Sequence, residues 1–535
     1  MSKQTATIDQ APREHSLAVS IGKSTVFGVI ARCAQVSTRL ITVPIVISHL
    51  GIGGYGIWAI LMTAAAYMRF GSIGIKSAFQ KYVAEATGNG DFENANRLLS
   101  TGTAGMLVLS FVGLIPICLF SRKLAQFAGV PPEMLKASAA SISVLALIML
   151  MSNVGAAFEA IVMGGHRIDV ARKLSTFFTV AEAVVIVILL HFGFGLFGMA
   201  CTMGLSEVGF VVCCYAASRK LLPQVHVSWK YVTKSAAPEL FRYAGSYQLV
   251  NMMEVVFSAI IPVALLRVFG ADAAGVFALA YRLQNSAQML ADAVLLPILS
   301  GGAKMYGAGS KREMNLLIAK SFKVTLGLAL LPLGFFSVFG TTVVYVWTGE
   351  AMPSLGITLW LICLAGFFST FSILGLVLYR VSGNAFLDNI RQVLRIVILL
   401  SIAVFARRLG FYGVLAGLAV TELAGMIFMV YAVSKTFEGF HAKDLLPDAV
   451  RVILGSIAIL AAGALAAHLP IFHMANLRVL AAAKLGMICA GCLLAAWPAL
   501  LLTNAVSSGE RRALLGVLLP QRIRTRHVAP ISVTE

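Results

Sequence analysis

The chain has 535 residues, of which 59% are hydrophobic and only 12% are charged, and its mean hydropathy is +0.87. Soluble globular domains carry about 25% charged residues, so this composition excludes an ordinary soluble protein. The formal net charge of +19 would suit a nucleic-acid-binding protein, but no basic soluble domain with interleaved aromatic residues is evident. We therefore expect an integral membrane protein whose basic residues contact membrane lipids and bind no nucleic acid.

Long apolar segments recur along the whole chain. A helix needs about 20 apolar residues to cross the roughly 30 Å hydrocarbon core of a bilayer. Helices are favoured because a backbone surrounded by lipid must satisfy its hydrogen bonds internally. The sequence thus predicts an all-α integral membrane protein with about 14 transmembrane helices, at 24–49, 55–77, 100–120, 138–163, 174–194, 196–217, 243–269, 272–300, 316–347, 354–379, 387–406, 411–434, 448–468 and 478–503.

Lysine and arginine between the predicted helices lie mostly on one side of the membrane. The connection after the sixth helix carries Arg219, Lys220 and Lys230, and the C-terminal tail carries Arg511 and Arg512 among others. Cytoplasmic loops hold an excess of basic residues, so this pattern predicts cytoplasmic N- and C-termini. The polar first 20 residues predict no cleavable signal peptide.

An internal repeat organises the sequence. The segment Gly51-Ile-Gly-Gly-Tyr-Gly56 resembles Gly270-Ala-Asp-Ala-Ala-Gly275, and each segment follows a predicted helix that contains proline. A glycine and a glutamate nine residues apart also recur, as Gly198 with Glu207 and as Gly413 with Glu422. Six helices per copy preserve the orientation of the chain, so the repeat predicts two pseudo-symmetric six-helix lobes followed by two C-terminal helices.

The repeat and the charge pattern together define six regions of the chain. In order, they are a cytoplasmic N-terminal tail (1–23), an N-lobe with helices 1–6 (24–220), a cytoplasmic inter-lobe linker (221–242), a C-lobe with helices 7–12 (243–436), helices 13–14 (437–505) and a basic cytoplasmic tail (506–535).

Four arginines within the predicted helices are the strongest functional signal: Arg32, Arg39, Arg69 and Arg282. A charge at the centre of a membrane helix costs roughly 2.5–3.5 kcal/mol, so it usually faces a bundle interior or an aqueous cavity. Three of them lie in the first copy and one in the second, and together they would form an anion site in a cleft between two lobes.

Two other interpretations of these arginines stay open. Arg32 and Arg69 could instead extend their long side chains to the cytoplasmic headgroups. Each arginine could also pair with an acidic residue, because the predicted helices contain enough of them: Glu159, Glu182, Glu207, Glu254, Asp292 and Glu422.

The sequence predicts neither an enzyme nor a cofactor or metal protein. It has no phosphate-cradling Gly-x-x-x-x-Gly-Lys, no His-Glu-x-x-His and no nucleophile elbow, so we expect no catalytic residues. Cys489 and Cys492 form a C-x-x-C inside an apolar helix without nearby histidine or acidic residues, which favours helix packing over metal binding.

Several short motifs resemble those of bacterial polysaccharide-lipid flippases, which belong to the multidrug/oligosaccharidyl-lipid/polysaccharide exporter superfamily. They are His49-Leu-Gly-Ile-Gly-Gly-Tyr-Gly-Ile-Trp-Ala-Ile60, Gly275-Val-Phe-Ala-Leu-Ala-Tyr-Arg-Leu283, Val346-Trp-Thr-Gly-Glu350 and Gly410-Phe-Tyr-Gly413. The similarity extends over nearly all of residues 20–505. A related branch, the lipid-linked peptidoglycan precursor flippases, carries cavity arginines on helices 1, 2 and 8. The resemblance therefore implies a substrate-binding role for Arg32, Arg39, Arg69 and Arg282.

The resemblance implies a flippase that moves a polyprenyl-diphosphate-linked oligosaccharide across the bacterial inner membrane by alternating access. Such a protein serves export or assembly of a surface polysaccharide, such as lipopolysaccharide or exopolysaccharide, beside a polysaccharide polymerase and chain-length machinery. Glu254 and Asp292 are candidate coupling or ion-pair residues, and transport would depend on membrane potential or on a H⁺ or Na⁺ gradient. The alternatives are a lipid-linked peptidoglycan precursor flippase and a multidrug exporter of the same superfamily.

Overall fold

A computed structural model describes residues 38, 41–63, 76, 79–80, 82–165, 167–233, 253–254, 256–292, 295, 298, 302, 305–306, 311–381, 386–437, 439–467 and 478–502. Within these ranges the chain is almost entirely helical and has no β-strand, which confirms the predicted all-α fold. Nine helices in the described part of the chain are long and apolar enough to cross a membrane.

From α3 onward the helices follow the predicted order, whereas α1 contains the end of the first predicted helix and the start of the second, and α2 lies where no helix was predicted. They are α1 (Ile41–Thr63), α2 (82–89), α3 (Phe92–Ala128), α4 (Pro132–Gly164), α5 (Ile168–His191), α6 (Gly195–Leu221), α7 (Val256–Phe269), α8 (Ala271–Asp292), α9 (Lys311–Thr348), α10 (Leu355–Val381), α11 (Phe386–Val404), α12 (Ala406–Thr436), α13 (Leu446–Ala467) and α14 (Arg478–Leu502).

Some helices extend beyond the predicted apolar segments. Helix α3 begins at Phe92, eight residues before the predicted segment, because Asp91 caps it by accepting a hydrogen bond from the backbone N–H of Asn94. Hydropathy marks where a helix leaves the hydrocarbon, whereas capping marks where the helix ends, and the two positions differ in long helices.

Both predicted repeats show matching backbone conformations at glycine. The helical run α1 is interrupted at Gly51, where φ is +70°, and the equivalent Gly270 before α8 has a φ of +89°. In the second pair, Gly195 (φ +55°) and Gly410 (φ +71°) each lie three residues before the repeated glycine. Left-handed backbone strongly favours glycine, so each position ends one helical segment and starts the next.

The two copies of the first motif cross each other closely. A Cβ atom built on Gly56 would lie 2.7 Å from the carbonyl oxygen of Ala271, and one built on Gly275 would lie 2.8 Å from the carbonyl carbon of Ile52. Ile52 and Ala271 are equivalent positions of the repeat, as are Gly56 and Gly275, so the contact is reciprocal. We call this contact the glycine crossing.

The structure divides into two compact units. The first comprises Met1–Leu279 and Gln392–Gly417, and the second comprises Ala280–Arg391 and Leu418–Glu535. These units are defined by packing, and the domain boundaries predicted from the repeat stay a prediction. Each unit has its own apolar core, which includes Leu98, Leu99 and Ile161 in the first unit and Ile318, Phe371 and Leu378 in the second.

The start of the predicted inter-lobe linker is fixed to α3 in the first unit. The Asn96 side chain donates to the carbonyl oxygen of Gln224 (3.0 Å) and accepts from the backbone N–H of His226 (2.8 Å). Thr101 Oγ1 accepts from the backbone N–H of Thr233 at 3.0 Å. The linker is therefore held through its backbone as far as Thr233.

Candidate functional site

The structure describes two of the six predicted site residues with their side chains. Arg32, Arg39 and Arg69 lie outside the described residues. Asp292 is the last residue of α8, but its side chain is also outside the described part. Arg282 and Glu254 are described, and the meeting of four arginines in one cavity stays a prediction.

Arg282 lies on a polar and accessible side of α8. It is eleven residues after the first residue of this helix, which places it about 16 Å along the helix axis. Its side chain is half-buried, while its neighbours Tyr281 and Asn285 are exposed. Asn285 and Ser286 follow Arg282 by three and four residues and so share its side of the helix. The sequence predicts a membrane helix at 272–300, although α8 is not among the nine helices counted above. Near the centre of such a helix, a polar accessible stripe suits a water-filled space and not lipid tails.

The guanidinium of Arg282 is available to an exogenous anion as far as the described residues are concerned. None of their carboxylates lies within 4.0 Å of it. Ser286 Oγ donates to the carbonyl oxygen of Arg282 (2.9 Å), so this hydroxyl is satisfied without the guanidinium. The opposite side of α8 is buried, where Gln284 donates to Gln288 at 2.6 Å.

Glu254, the second described candidate, belongs to a cluster with residues of α11. Its Oε2 accepts hydrogen bonds from Gln392 Nε2 and from Arg395 Nη1, the latter at 3.2 Å. Arg395 Nη1 also donates to Gln392 Oε1 (2.7 Å), and its guanidinium carbon lies 3.8 Å from the ring centroid of Phe257. The Arg395 side chain is 4% exposed, whereas that of Glu254 is 47% exposed. We call these four residues the Glu254 cluster.

A separate buried ion-pair group in the second unit begins on the same helix. Asp388 accepts from Arg391 Nη2 and from Arg380 Nη2, both at 3.1 Å, and Arg391 Nη1 donates to Ser372 Oγ at 3.0 Å. The side chains of Asp388 and Arg391 are 2% and 3% exposed. This group joins α10 to the start of α11 and has the features of a structural pair rather than an accessible site.

Arg391 and Arg395 lie inside the predicted helix 387–406 but were not among the predicted site residues. Their signal was present, because Asp388, Arg391, Gln392 and Arg395 are spaced as one polar side of an otherwise apolar helix. Two of the acidic residues in the predicted helices have basic partners among the described residues. Glu254 pairs with Arg395, and Glu159 pairs with Lys76 at 2.5 Å.

No metal site is evident in the part of the chain that the structure describes, since no group of three histidine, cysteine, aspartate or glutamate side chains is placed to hold an ion.

The described candidate residues are therefore two. Arg282 lies on an accessible polar stripe of the second unit, and Glu254 is a carboxylate of the first unit that buried donors hold in place.

Comparison with known proteins identifies the fold. Residues 29–191 match the model of the MatE family. An inward-facing multidrug resistance MATE family transporter of the MOP superfamily aligns with a TM-score of 0.64 and 16% identity, covering 75% of this chain and 95% of that chain. The chain has the fold of a MOP-superfamily transporter. MOP abbreviates the multidrug/oligosaccharidyl-lipid/polysaccharide exporter superfamily, so this fold is the one that the motif resemblance implied.

Two further structures show the range of proteins that share the MOP fold. The lipid II flippase MurJ in an inward closed conformation aligns with a TM-score of 0.65 and 12% identity, covering 88% of this chain and 97% of that chain. The MATE multidrug transporter DinF-BH, in complex with a small ligand, aligns with a TM-score of 0.58 and 17% identity, covering 81% and 98%. A search of curated proteins gives no match. At these identities the likeness establishes a multi-pass membrane transporter fold and leaves the substrate to be argued from the residues.

Proposed function

We propose that this MOP-fold protein translocates a polyprenyl-diphosphate-linked oligosaccharide across the bacterial inner membrane by alternating access, for export or assembly of a surface polysaccharide. The observation that carries the proposal is Arg282, a half-buried arginine in the middle of α8 with no described carboxylate within 4.0 Å. An enzyme is not proposed, because proteins of this superfamily are transporters.

The chemistry of arginine fits a diphosphate. Its planar guanidinium donates paired, charge-assisted hydrogen bonds to phosphate oxygens and stays protonated at any physiological pH. The substrate's sugar head could not cross lipid unaided, because its hydroxyls and phosphates would lose their hydrogen bonds to water. A polar stripe such as that of Tyr281, Arg282 and Asn285 gives the head a path while the polyprenyl tail remains in the bilayer.

The proposal includes Arg32, Arg39 and Arg69 as further ligands of the diphosphate. It also includes a polysaccharide polymerase and chain-length machinery as neighbouring proteins. The membrane potential is one driving force for a charged site, worth about 2.3 kcal/mol per charge per 100 mV. A H⁺ or Na⁺ gradient is the other, with Glu254 and Asp292 as the coupling candidates.

Reconstituted vesicles containing a fluorescent polyprenyl-diphosphate oligosaccharide test the proposal. The flipping rate is measured from the fraction of label that a membrane-impermeant reagent can bleach. A hydrogen bond to a charged group contributes about 1.5–3 kcal/mol, so we expect Arg282→Ala to slow flipping about ten- to a hundredfold. Arg282→Lys should recover part of the rate, because lysine keeps the positive charge but lacks the paired donors of the planar guanidinium.

The matched control is Arg172→Ala, which removes an exposed arginine near the start of α5 and should leave the rate unchanged. Wild-type flipping by Arg282→Ala at normal abundance would refute the proposed site. Flipping of a lipid-linked peptidoglycan precursor in preference to the oligosaccharide substrate, or export of a cationic drug without any lipid flipping, would replace the proposed function by one of its alternatives.

A further inference from the structure

The Glu254 cluster has the features of a binding element of its own, and the inference drawn from it rests on the proposed function. We infer that the Glu254 carboxylate accepts hydrogen bonds from sugar hydroxyls of the lipid-linked head group, and that Gln392 and Arg395 are positioning residues that hold it in place. Glu254 would then recognise the sugar part of the substrate.

Glu254 lies within the predicted membrane segment 243–269, eleven residues after its start, which would place it about 16 Å along that helix. In the structure its side chain is nevertheless 47% exposed. An accessible carboxylate within the hydrocarbon span would be costly against lipid, so this surface belongs to a water-filled part of the transporter.

Two side chains of α11 hold the Glu254 carboxylate in place. Gln392 Nε2 and Arg395 Nη1 both donate to Glu254 Oε2, and the side chains of Gln392 and Arg395 are themselves joined by a 2.7 Å hydrogen bond. Arg395 is the central residue of α11, nine residues from either end, and its guanidinium stacks on the Phe257 ring. Buried donors behind an accessible carboxylate fix its orientation before any ligand arrives, which lowers the entropic cost of binding.

The exposure and charge of the Glu254 carboxylate indicate the kind of ligand. An ionised carboxylate only accepts hydrogen bonds, and this one is 47% exposed, so it is accessible to a ligand that donates them. Sugar hydroxyls are such donors, whereas a diphosphate carries negative charge and would be repelled. Since Arg395 is only 4% exposed, it supports Glu254 from behind and is not itself presented to a diphosphate.

The experiment compares two probes in the same vesicles, a labelled polyprenyl-diphosphate monosaccharide and a labelled polyprenyl-diphosphate tetrasaccharide. The ratio of their flipping rates does not depend on how much protein is folded. We expect Glu254→Gln to lower the rate for the tetrasaccharide about tenfold or more, and for the monosaccharide less than threefold. We expect Arg395→Lys to change the ratio in the same direction by a smaller factor, because it keeps the charge but loses the planar stacking on Phe257.

Each remaining outcome bears on one claim. Equal slowing of both probes by Glu254→Gln would overturn the inference in favour of a coupling role, and unchanged rates for both probes would overturn it outright. Glu254→Asp keeps the charge, so its ratio of flipping rates should lie between those of wild type and Glu254→Gln if the position of the carboxylate matters.

Arg282→Ala should slow both probes equally. If Arg282→Ala has no effect while Glu254→Gln still changes the ratio, the diphosphate site fails and the sugar contact survives. The acid-to-amide control Asp169→Asn, at a surface ion pair with Arg167, should leave both rates unchanged.

Discussion

The glycine crossing makes a quantitative prediction about stability. An alanine Cβ at position 275 would lie 2.8 Å from the carbonyl carbon of Ile52 and 2.9 Å from its Cγ1. Atoms essentially never approach this closely, and one of the two is backbone, so the helices must move apart. Overpacking costs about 1–3 kcal/mol, and the upper end applies when backbone must shift. Alanine regains about 1 kcal/mol of helix propensity, so we expect Gly275→Ala to lower the free energy of unfolding by about 2 kcal/mol.

The assay is unfolding in mixed detergent micelles, followed by far-ultraviolet circular dichroism. Gly105→Ala in α3 is the matched control, because its added Cβ would meet nothing within 4 Å and should leave stability unchanged or raise it by up to about 1 kcal/mol. Adding Gly56→Ala to Gly275→Ala should cost less than the sum of the two, since helices already separated by one Cβ admit the second more easily. Equal stability of Gly275→Ala and Gly105→Ala would refute the close approach.

Two further perturbations test the buried charges and the proposed motion. Asp388→Asn removes the carboxylate from the buried Arg391 and should cost about 3–5 kcal/mol in thermal or denaturant unfolding, whereas Asp448→Asn, at a more exposed ion pair, should cost about 1 kcal/mol or less. Equal losses of unfolding free energy in these two variants would show that the contribution of the Asp388–Arg391 pair to stability does not depend on its burial. Cysteines at 53 and 271, whose Cβ atoms would lie 3.1 Å apart, should form a disulfide after a small shift, because such bonds need a Cβ separation of about 3.5–4.5 Å. Both positions lie in the first compact unit, so the oxidised Gly53→Cys/Ala271→Cys protein should still flip its substrate. Loss of flipping that returns on reduction would show instead that this contact opens during transport.

Much of the helical architecture could be predicted from the sequence, because it depends on local and repeated signals. Apolar length sets the helices, and the recurrence of Gly51 at Gly270 indicated two equivalent helix junctions. Both glycines adopt a positive φ, as left-handed backbone at a junction requires. The extension of α3 to Phe92 was not predicted, because its first turns are polar and are set by the Asp91 cap instead of hydropathy.

The candidate site was less accessible to sequence reasoning, because pairing depends on which helix sides meet. Arg282 stood out as an isolated charge in an apolar segment. Arg395 did not stand out, since it shares its helix with the other polar residues Asp388, Arg391 and Gln392. Only the fold shows that Arg395 is buried against Phe257 and pairs with Glu254, which lies 141 residues away in the sequence.

The reciprocity of the glycine crossing resembles the symmetry of a homodimer interface. Gly56 approaches Ala271 as Gly275 approaches Ile52, so each copy of the motif presents the same surface to the other. Such an isologous contact is the interface that two identical subunits make around a twofold axis. In a homodimer one substitution would alter both sides of such a contact at once. In this single chain the two sides are separate positions, so Tyr55 and Ala274 can differ while Gly56 and Gly275 both face a space that has no room for a Cβ atom.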